Sequence, residues 1–229
     1  ENRLADIRLD LAEGPQYRVS RIETEGLVQT REHVVVREIS LKPEDVLDEM
    51  RLGESELRLR RMGIFTTASI RVLDDPAREG YKVLRVVAQE SEPKLVAAGV
   101  GFRNNLGVRA FGQFGWANVD GRNQSLLLNA TANHRKLGGE FCTDKGARPC
   151  FLEGQAQVTY IWPWFGSFLM DNLTFRPSFN FEQTRYLQFD ATSFGVTATL
   201  ERNILRRPNL SGSLTYSLER TQQNHAADC

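Results

Sequence analysis

The chain has 229 residues, and its 29 lysines and arginines balance 29 aspartates and glutamates to a formal net charge of zero. That balance argues against nucleic acid as a partner, and the length allows one large domain or two ordinary ones. Hydrophobic residues make up 41% and mean hydropathy is −0.39; no apolar run approaches the roughly 18 residues of a transmembrane helix, whereas a β-barrel with a polar lumen face gives such an average.

Glu1-Asn2-Arg3 opens on folded-looking sequence with no signal-peptide pattern, as expected of a processed chain or an internal segment. Residues 4–11 alternate Ala5, Ile7, Leu9 and Leu11 with Leu4, Asp6, Arg8 and Asp10, which predicts a strand. Nothing close by pairs with it, so residues 1–12 are expected to be the last strand of a preceding domain, and Glu13-Gly14-Pro15 breaks the pattern.

Residues 15–90 follow the order strand, helix, helix, strand, strand. A strand over Tyr17–Glu23 ends at Gly26, and Thr30 is a plausible N-cap for a short helix through Glu38 carrying Val34, Val35 and Val36. Pro43 and Asp45 lead into a longer helix in which Leu52, Ser55, Leu59 and Met62 form one buried stripe. Arg58, Arg60 and Arg61 sit at its C-terminal end, where the macrodipole favours cations, and Gly63 stands at C′. Strands Thr66–Leu73 and Tyr81–Gln89 follow, with Ala68, Ile70, Val72, Leu84, Val86 and Ala88 expected to face the helices.

Glu90-Ser91-Glu92-Pro93 separates two regimes, and from Lys94 on the chain alternates. Seven strands are predicted. In the first, Val96, Ala98, Val100 and Phe102 share one face while Leu95, Ala97, Gly99 and Gly101 share the other. The remaining six centre on Val108–Trp116, Leu126–Asn133, Gln155–Trp162, Asn172–Glu182, Phe194–Glu201 and Leu210–Glu219. Tight turns fall at Asp120-Gly121-Arg122 and at Pro163, and residues 134–152 form a long loop. Cys142 and Cys150 flank a polar stretch that reads as a loop closed by a disulfide in an oxidising compartment, two free thiols being the alternative; Cys229 is left over.

A soluble sandwich also alternates. The mixture of tight turns and a long loop, the tryptophans at strand ends (Trp116, Trp162, Trp164) and the Asn, Gln, Ser, Thr and Arg of the opposite faces all favour a membrane barrel. Ten residues at a 45° tilt span roughly 23 Å, close to the apolar band of an outer membrane.

Two sets of motifs carry a family resemblance. Tyr17-Arg18-Val19-Ser20-Arg21-Ile22-Glu23-Thr24-Glu25-Gly26, then Val35-Val36-Arg37-Glu38-Ile39 and Arg58-Leu59-Arg60-Arg61-Met62-Gly63-Ile64-Phe65, resemble a POTRA domain. Asn118-Val119-Asp120-Gly121-Arg122 and Trp162-Pro163-Trp164-Phe165 resemble turns of the barrels that follow POTRA domains in the BamA/TamA-type outer-membrane assembly factors. The resemblance implies the last strand of a preceding POTRA domain at 1–12, an α+β POTRA domain at 15–90 in the periplasm and, at 94–229, the N-terminal part of an antiparallel outer-membrane β-barrel of about sixteen strands.

It further implies that unfolded outer-membrane proteins are the clients, with periplasmic chaperones or accessory lipoproteins and outer-membrane lipid as partners, and no cofactor. The family's later Arg-Gly loop motif is absent, so no site residue comes from it. A TamA-like or two-partner-secretion translocation pore is the close alternative, and a passive porin or anchor the more distant one.

No catalytic pattern is present: His33, His134 and His225 are isolated, and Gly99-Val100-Gly101 opens no helix. The candidate working surfaces are two strand edges. One is the lateral seam Leu95, Val96, Ala97, Ala98, Gly99, Val100, Gly101 and Phe102. The other is the POTRA edge strand Thr67, Ala68, Ser69, Ile70, Arg71 and Val72, which suits β-augmentation. Arg109 and Arg176 have lumen parity and are expected to pair with carboxylates such as Glu182.

Overall fold

The computed structural model describes residues 14–103, 107–134, 152–166, 173–186, 189–203 and 211–225. The expected strand at 4–11, the turn at 104–106, the cysteines and most of the long loop lie outside the described residues. The described residues form two compact units: one holds residues 14–28 and Glu32–Glu90, the other Gln29–Arg31 and the described residues from Ser91 on.

In the first unit β1 (Arg18–Glu25), α1 (Glu32–Val36), α2 (Glu49–Arg61), β2 (Phe65–Asp74) and β3 (Tyr81–Glu90) give the expected β-α-α-β-β order. The sheet order is β1-β3-β2, with β1 parallel and β2 antiparallel to the central strand. Val19, Val35, Leu41, Leu59, Leu84 and Val86 are essentially inaccessible and form the core between sheet and helices. Val72, expected inside, is 37% exposed, because it lies toward the end of the outermost strand.

The long helix owes its start to Asp48, whose backbone is extended and whose carboxylate accepts from the amides of Met50 and Arg51 at 2.8 and 3.4 Å. Pro43 and Asp45 remain in the preceding loop. Ser55 lies in the apolar stripe at no cost in unpaired polar groups: it donates to the Arg51 carbonyl at 2.6 Å and accepts the Ser40 amide at 3.0 Å. Gly63 takes φ +71 just past the helix, as a C′ glycine does. Helix α1 is shorter than expected and begins at Glu32. Thr30 does not cap it; its hydroxyl instead accepts from Asn118 Nδ2 at 2.8 Å within the second unit.

The second unit is one antiparallel sheet among the described residues. Its strands are β4 (Lys94–Arg103), β5 (Gly107–Val119), β6 (Gln124–His134), β7 (Leu152–Ile161), β8 (Leu173–Arg185), β9 (Phe189–Asn203) and β10 (Ser211–His225), each paired with its sequence neighbours. The last two run longer than their apolar segments predict.

Register carries the alternation unbroken across the sheet. One row reads Val96, Phe114, Leu128, Val158, Phe179, Val196 and Leu218; the adjacent row on the other face reads Ala97, Gln113, Asn129, Gln157, Asn180, Gly195 and Glu219. Every buried large apolar side chain among the described residues falls between Val19 and Ala88, so the sheet's apolar face covers no protein core. Val96, Val100, Phe102, Leu214, Tyr216 and Leu218 are each more than 60% exposed. A continuous apolar face of this extent has lipid as its natural solvent. The pattern is that of an open, partial barrel wall.

The apolar band crosses these rows obliquely. In β4 it centres on Gly99, whose row runs through Phe111, Thr131, Gln155, Glu182 and Ser193 to Thr221, whereas the apolar stretch of β10 centres on Tyr216. The centre therefore slips by about one residue per strand, which corresponds to strands tilted by about 30° from the normal to the band.

The short turn after β5 uses residues that tolerate left-handed backbone: Asn118, Asp120, Gly121 and Asn123 all have positive φ. Asn118 Oδ1 accepts from the Asn123 amide at 2.9 Å, closing the turn. After β7, Trp162 bridges to Phe175 and stacks edge-on against Phe165 at 5.0 Å, an aromatic cluster at a strand end. Arg176 pairs with Glu201 at 3.2 Å rather than with Glu182, since Glu201 stands diagonally across on β9.

Two predictions test the first unit. Gly26 has φ +85, and a Cβ there would lie 2.1 Å from the Ala88 carbonyl oxygen. Gly26→Ala is expected to cost about 1–3 kcal/mol, read from urea denaturation followed by circular dichroism. The Asp75 carboxylate is buried and accepts from the Ser20 hydroxyl, the Ala77 amide at 3.1 Å and Arg21 Nη1 at 3.3 Å, which hold its pKa below the usual carboxylate range, Ser20 foremost. A lowered folded-state pKa contributes stability above the ordinary carboxylate pKa and loses it as pH falls through the lowered value. Asp75→Asn should therefore flatten the acid limb of a thermal-midpoint profile while lowering the midpoint at neutral pH.

Candidate functional site

Strand edges are the chemically unsaturated parts of a sheet, because half of their backbone groups face outward. The three-stranded sheet has two edges, and they differ. Along β1 the segment Glu44–Leu47 closes the edge: Val19 N donates to Asp45 O at 2.9 Å, Glu44 N to Val19 O at 2.8 Å and Leu47 N to Tyr17 O at 2.9 Å. Along β2 no strand follows among the described residues. Its Ala68, Ile70 and Val72 lie on the helix face and Thr67, Ser69 and Arg71 on the other, so the expected edge strand is the open one.

The surroundings of β2 are cationic. Arg60 on α2 donates from Nε to the Ala68 carbonyl at 3.1 Å while its Nη2 pairs with Glu56 at 2.6 Å. Arg71 lies opposite Arg85, and Arg85 is already committed to Glu23 at 3.0 Å. The Arg71 side chain makes no hydrogen bond or ion pair among the described residues.

In the seven-stranded sheet β4 and β10 are the outer strands. Strand β4 is anchored at its beginning. The Pro93 carbonyl accepts from the Ala117 amide at 2.6 Å, and Lys94 Nζ lies 5.3 Å from the centre of the Trp116 ring. Beyond that point its side chains are small or exposed: Leu95 is 66% exposed, Ala97 and Ala98 add little contact, and Val100 and Phe102 stand clear. At Gly99, where the sequence shows a strand position with no side chain, the structure adds a contact. The Phe111 ring from β5 lies across the backbone, and a Cβ at Gly99 would come within 2.5 Å of its Cε1. Phe111 is the functional-site residue missed from the sequence; its polar-face parity opposite a glycine, the pattern by which an aromatic shields a bare strand backbone, is the signal that could have found it.

Among the described residues no group of three or more His, Cys, Asp or Glu is placed to hold a metal ion. Cys142 and Cys150 lie outside them. The chemistry on offer is backbone pairing.

Residues 17–88 match the family model of the POTRA domain, described as a surface antigen variable number repeat. No curated protein matches the chain by sequence. Among solved structures the chain is similar to BamA from Haemophilus ducreyi lacking POTRA domains 1–3, at 17% identity and a TM-score of 0.69, over 93% of this chain and 37% of that one. It is also similar to CdiB from Acinetobacter baumannii, at 16% identity and a TM-score of 0.58, over 92% of this chain and 39% of that one. The chain thus spans well under half the length of either. The likeness is one of fold: a POTRA domain followed by strands of an outer-membrane barrel wall of the BamA and CdiB type.

The Phe111 contact makes a prediction. Removing the ring with Phe111→Ala should raise hydrogen exchange at the Ala97–Gly101 amides in detergent micelles and leave the β6–β7 amides unchanged. Equal protection in both proteins would show that the ring does not hold the seam strand.

Proposed function

We propose that the chain forms part of an outer-membrane protein assembly and insertion factor, with the POTRA domain in the periplasm and the sheet in the outer membrane. The observation that carries the reading is that β2 and β4 are each an outer strand of its sheet among the described residues. An edge reads backbone and accepts clients of varied sequence, which suits the handling of unfolded barrel proteins. On this reading β2 receives an extended client segment by β-augmentation, and β4 offers its outer edge as a template for client strands. No nucleotide or cofactor enters: the driving force is the pairing of backbone groups that lipid leaves unsatisfied, worth several kcal/mol for each group. Periplasmic chaperones or accessory lipoproteins would deliver the clients, and lipid is the solvent of the apolar face. The factor is not an enzyme in this reading.

A weak β4 favours templating. Gly99 and Gly101 each lower strand stability by about 0.5–1 kcal/mol relative to alanine, and the strand's outer half has few side-chain contacts, so exchange of one partner strand for another is cheap there.

A translocation pore of the two-partner-secretion kind is the second reading, favoured by the likeness to CdiB and by the polar face that carries Gln113, Asn129, Gln157 and Asn180. Two experiments separate them. In the full-length protein a disulfide placed between Val100→Cys and the barrel's final strand should abolish insertion of client barrels and be reversed by reductant. Undiminished insertion under oxidising conditions would reject the seam. Loss of an exported passenger with normal barrel assembly, on depletion of the protein, would select the pore.

A further inference from the structure

We infer that Arg60 is a latch on the β2 edge, and that with Arg71 it selects an extended segment bearing a carboxylate on the face turned away from the helices. The inference rests on the reading of β2 as an augmenting edge and adds the chemistry of what docks there.

The case starts from what happens at the other edge. β1 is closed by backbone from Glu44–Leu47, which makes three hydrogen bonds to Tyr17 and Val19. β2 receives no such segment among the described residues, and its Ala68 carbonyl takes Arg60 Nε at 3.1 Å instead. A guanidinium can stand in for a neighbouring strand's amide at one carbonyl, but it brings no acceptor for the strand's own outward amides. It is also mobile. Its side chain is 61% exposed and is held otherwise by Glu56 at 2.6 Å on the same helix, an i,i+4 pair of the kind that contributes only a few tenths of a kcal/mol. An incoming strand that pairs with β2 takes over the Ala68 carbonyl and frees Arg60.

Period-2 alternation then dictates what fits. On the helix face the newcomer lies beside Ile70 and Val72, the latter 37% exposed, and an apolar side chain covers them. On the opposite face it lies beside Arg71. That residue has Arg85 as its cross-strand neighbour on β3, and the only carboxylate in that row, Glu23, is already bonded to Arg85 at 3.0 Å. A carboxylate on the incoming strand relieves the like-charge pair and answers Arg71 directly. The released Arg60 supplies a second cation at the same edge. A segment alternating apolar with acidic residues therefore docks best, and one alternating apolar with basic residues meets two cations.

The test uses short fluorescent peptides alternating valine with glutamate, lysine or threonine, and the full-length protein in detergent micelles with a benzophenone cross-linker in place of Thr67. The glutamate peptide should bind about two- to fivefold tighter than the threonine peptide, the range of one or two exposed ion pairs, and the lysine peptide weaker than either. Arg71→Glu should invert that order. Arg60→Ala, at an exposed helix position that tolerates alanine, should strengthen the threonine peptide while narrowing the advantage of glutamate. Cross-linking with no dependence on peptide charge, or an order unchanged by Arg71→Glu, overturns the selectivity and leaves augmentation standing. An unaltered threonine affinity in Arg60→Ala overturns the latch. No cross-link to any peptide overturns both the inference and the augmentation reading beneath it.

Discussion

Everything after Pro93 depends on one constraint: a backbone amide or carbonyl in lipid has no water to turn to. The constraint forces every strand to pair on both sides, and it turns an unpaired edge from a tolerable exposure into a site that must find a partner. It also explains why the sheet keeps its register over so many strands. A slip of one residue anywhere would turn the row of Val96, Phe114, Leu128 and Val158 toward the polar side and bring Gln113, Asn129 and Gln157 to the lipid.

The POTRA domain solves the same problem by ordinary means. It buries Leu59, Leu84 and Val86 completely, and water satisfies whatever is left at its rim. Its open edge costs little in water, so that edge can wait unpaired with only a guanidinium on one carbonyl. The β4 edge has no such latitude in a bilayer. One chain thus carries a permissive edge and a demanding one; under the proposed function, a client passing from the first to the second moves from weak pairing in water to obligatory pairing in lipid.

Much of this was legible in the sequence because alternation is local. The boundaries of β4 follow directly from Lys94 to Arg103, and the helix stripe of Ser55 and Leu59 follows from its spacing. The features that escaped are the ones set by partners distant in sequence. Thr30 has the right side chain for an N-cap, but Asn118, 88 positions on, claims its hydroxyl. Glu182 and Glu201 both share Arg176's polar face; only the β8–β9 register decides that Glu201 lies diagonal to it. Gly99 reads as a gap until Phe111 is seen lying across it. Cross-strand geometry decides these cases, and no window along one strand contains it.

The oblique apolar band has a consequence for the templating proposed at β4. Because the band's centre moves by about one residue at each strand, the sheet is a staircase rather than a level fence. A newcomer that pairs with β4 cannot simply copy its neighbour's height. To keep its own apolar stretch in the bilayer it must settle about one step further toward the Arg103 end of β4, and each strand after it one step further again. The edge therefore prescribes a pitch as well as a partner: it fixes how steeply a growing wall climbs.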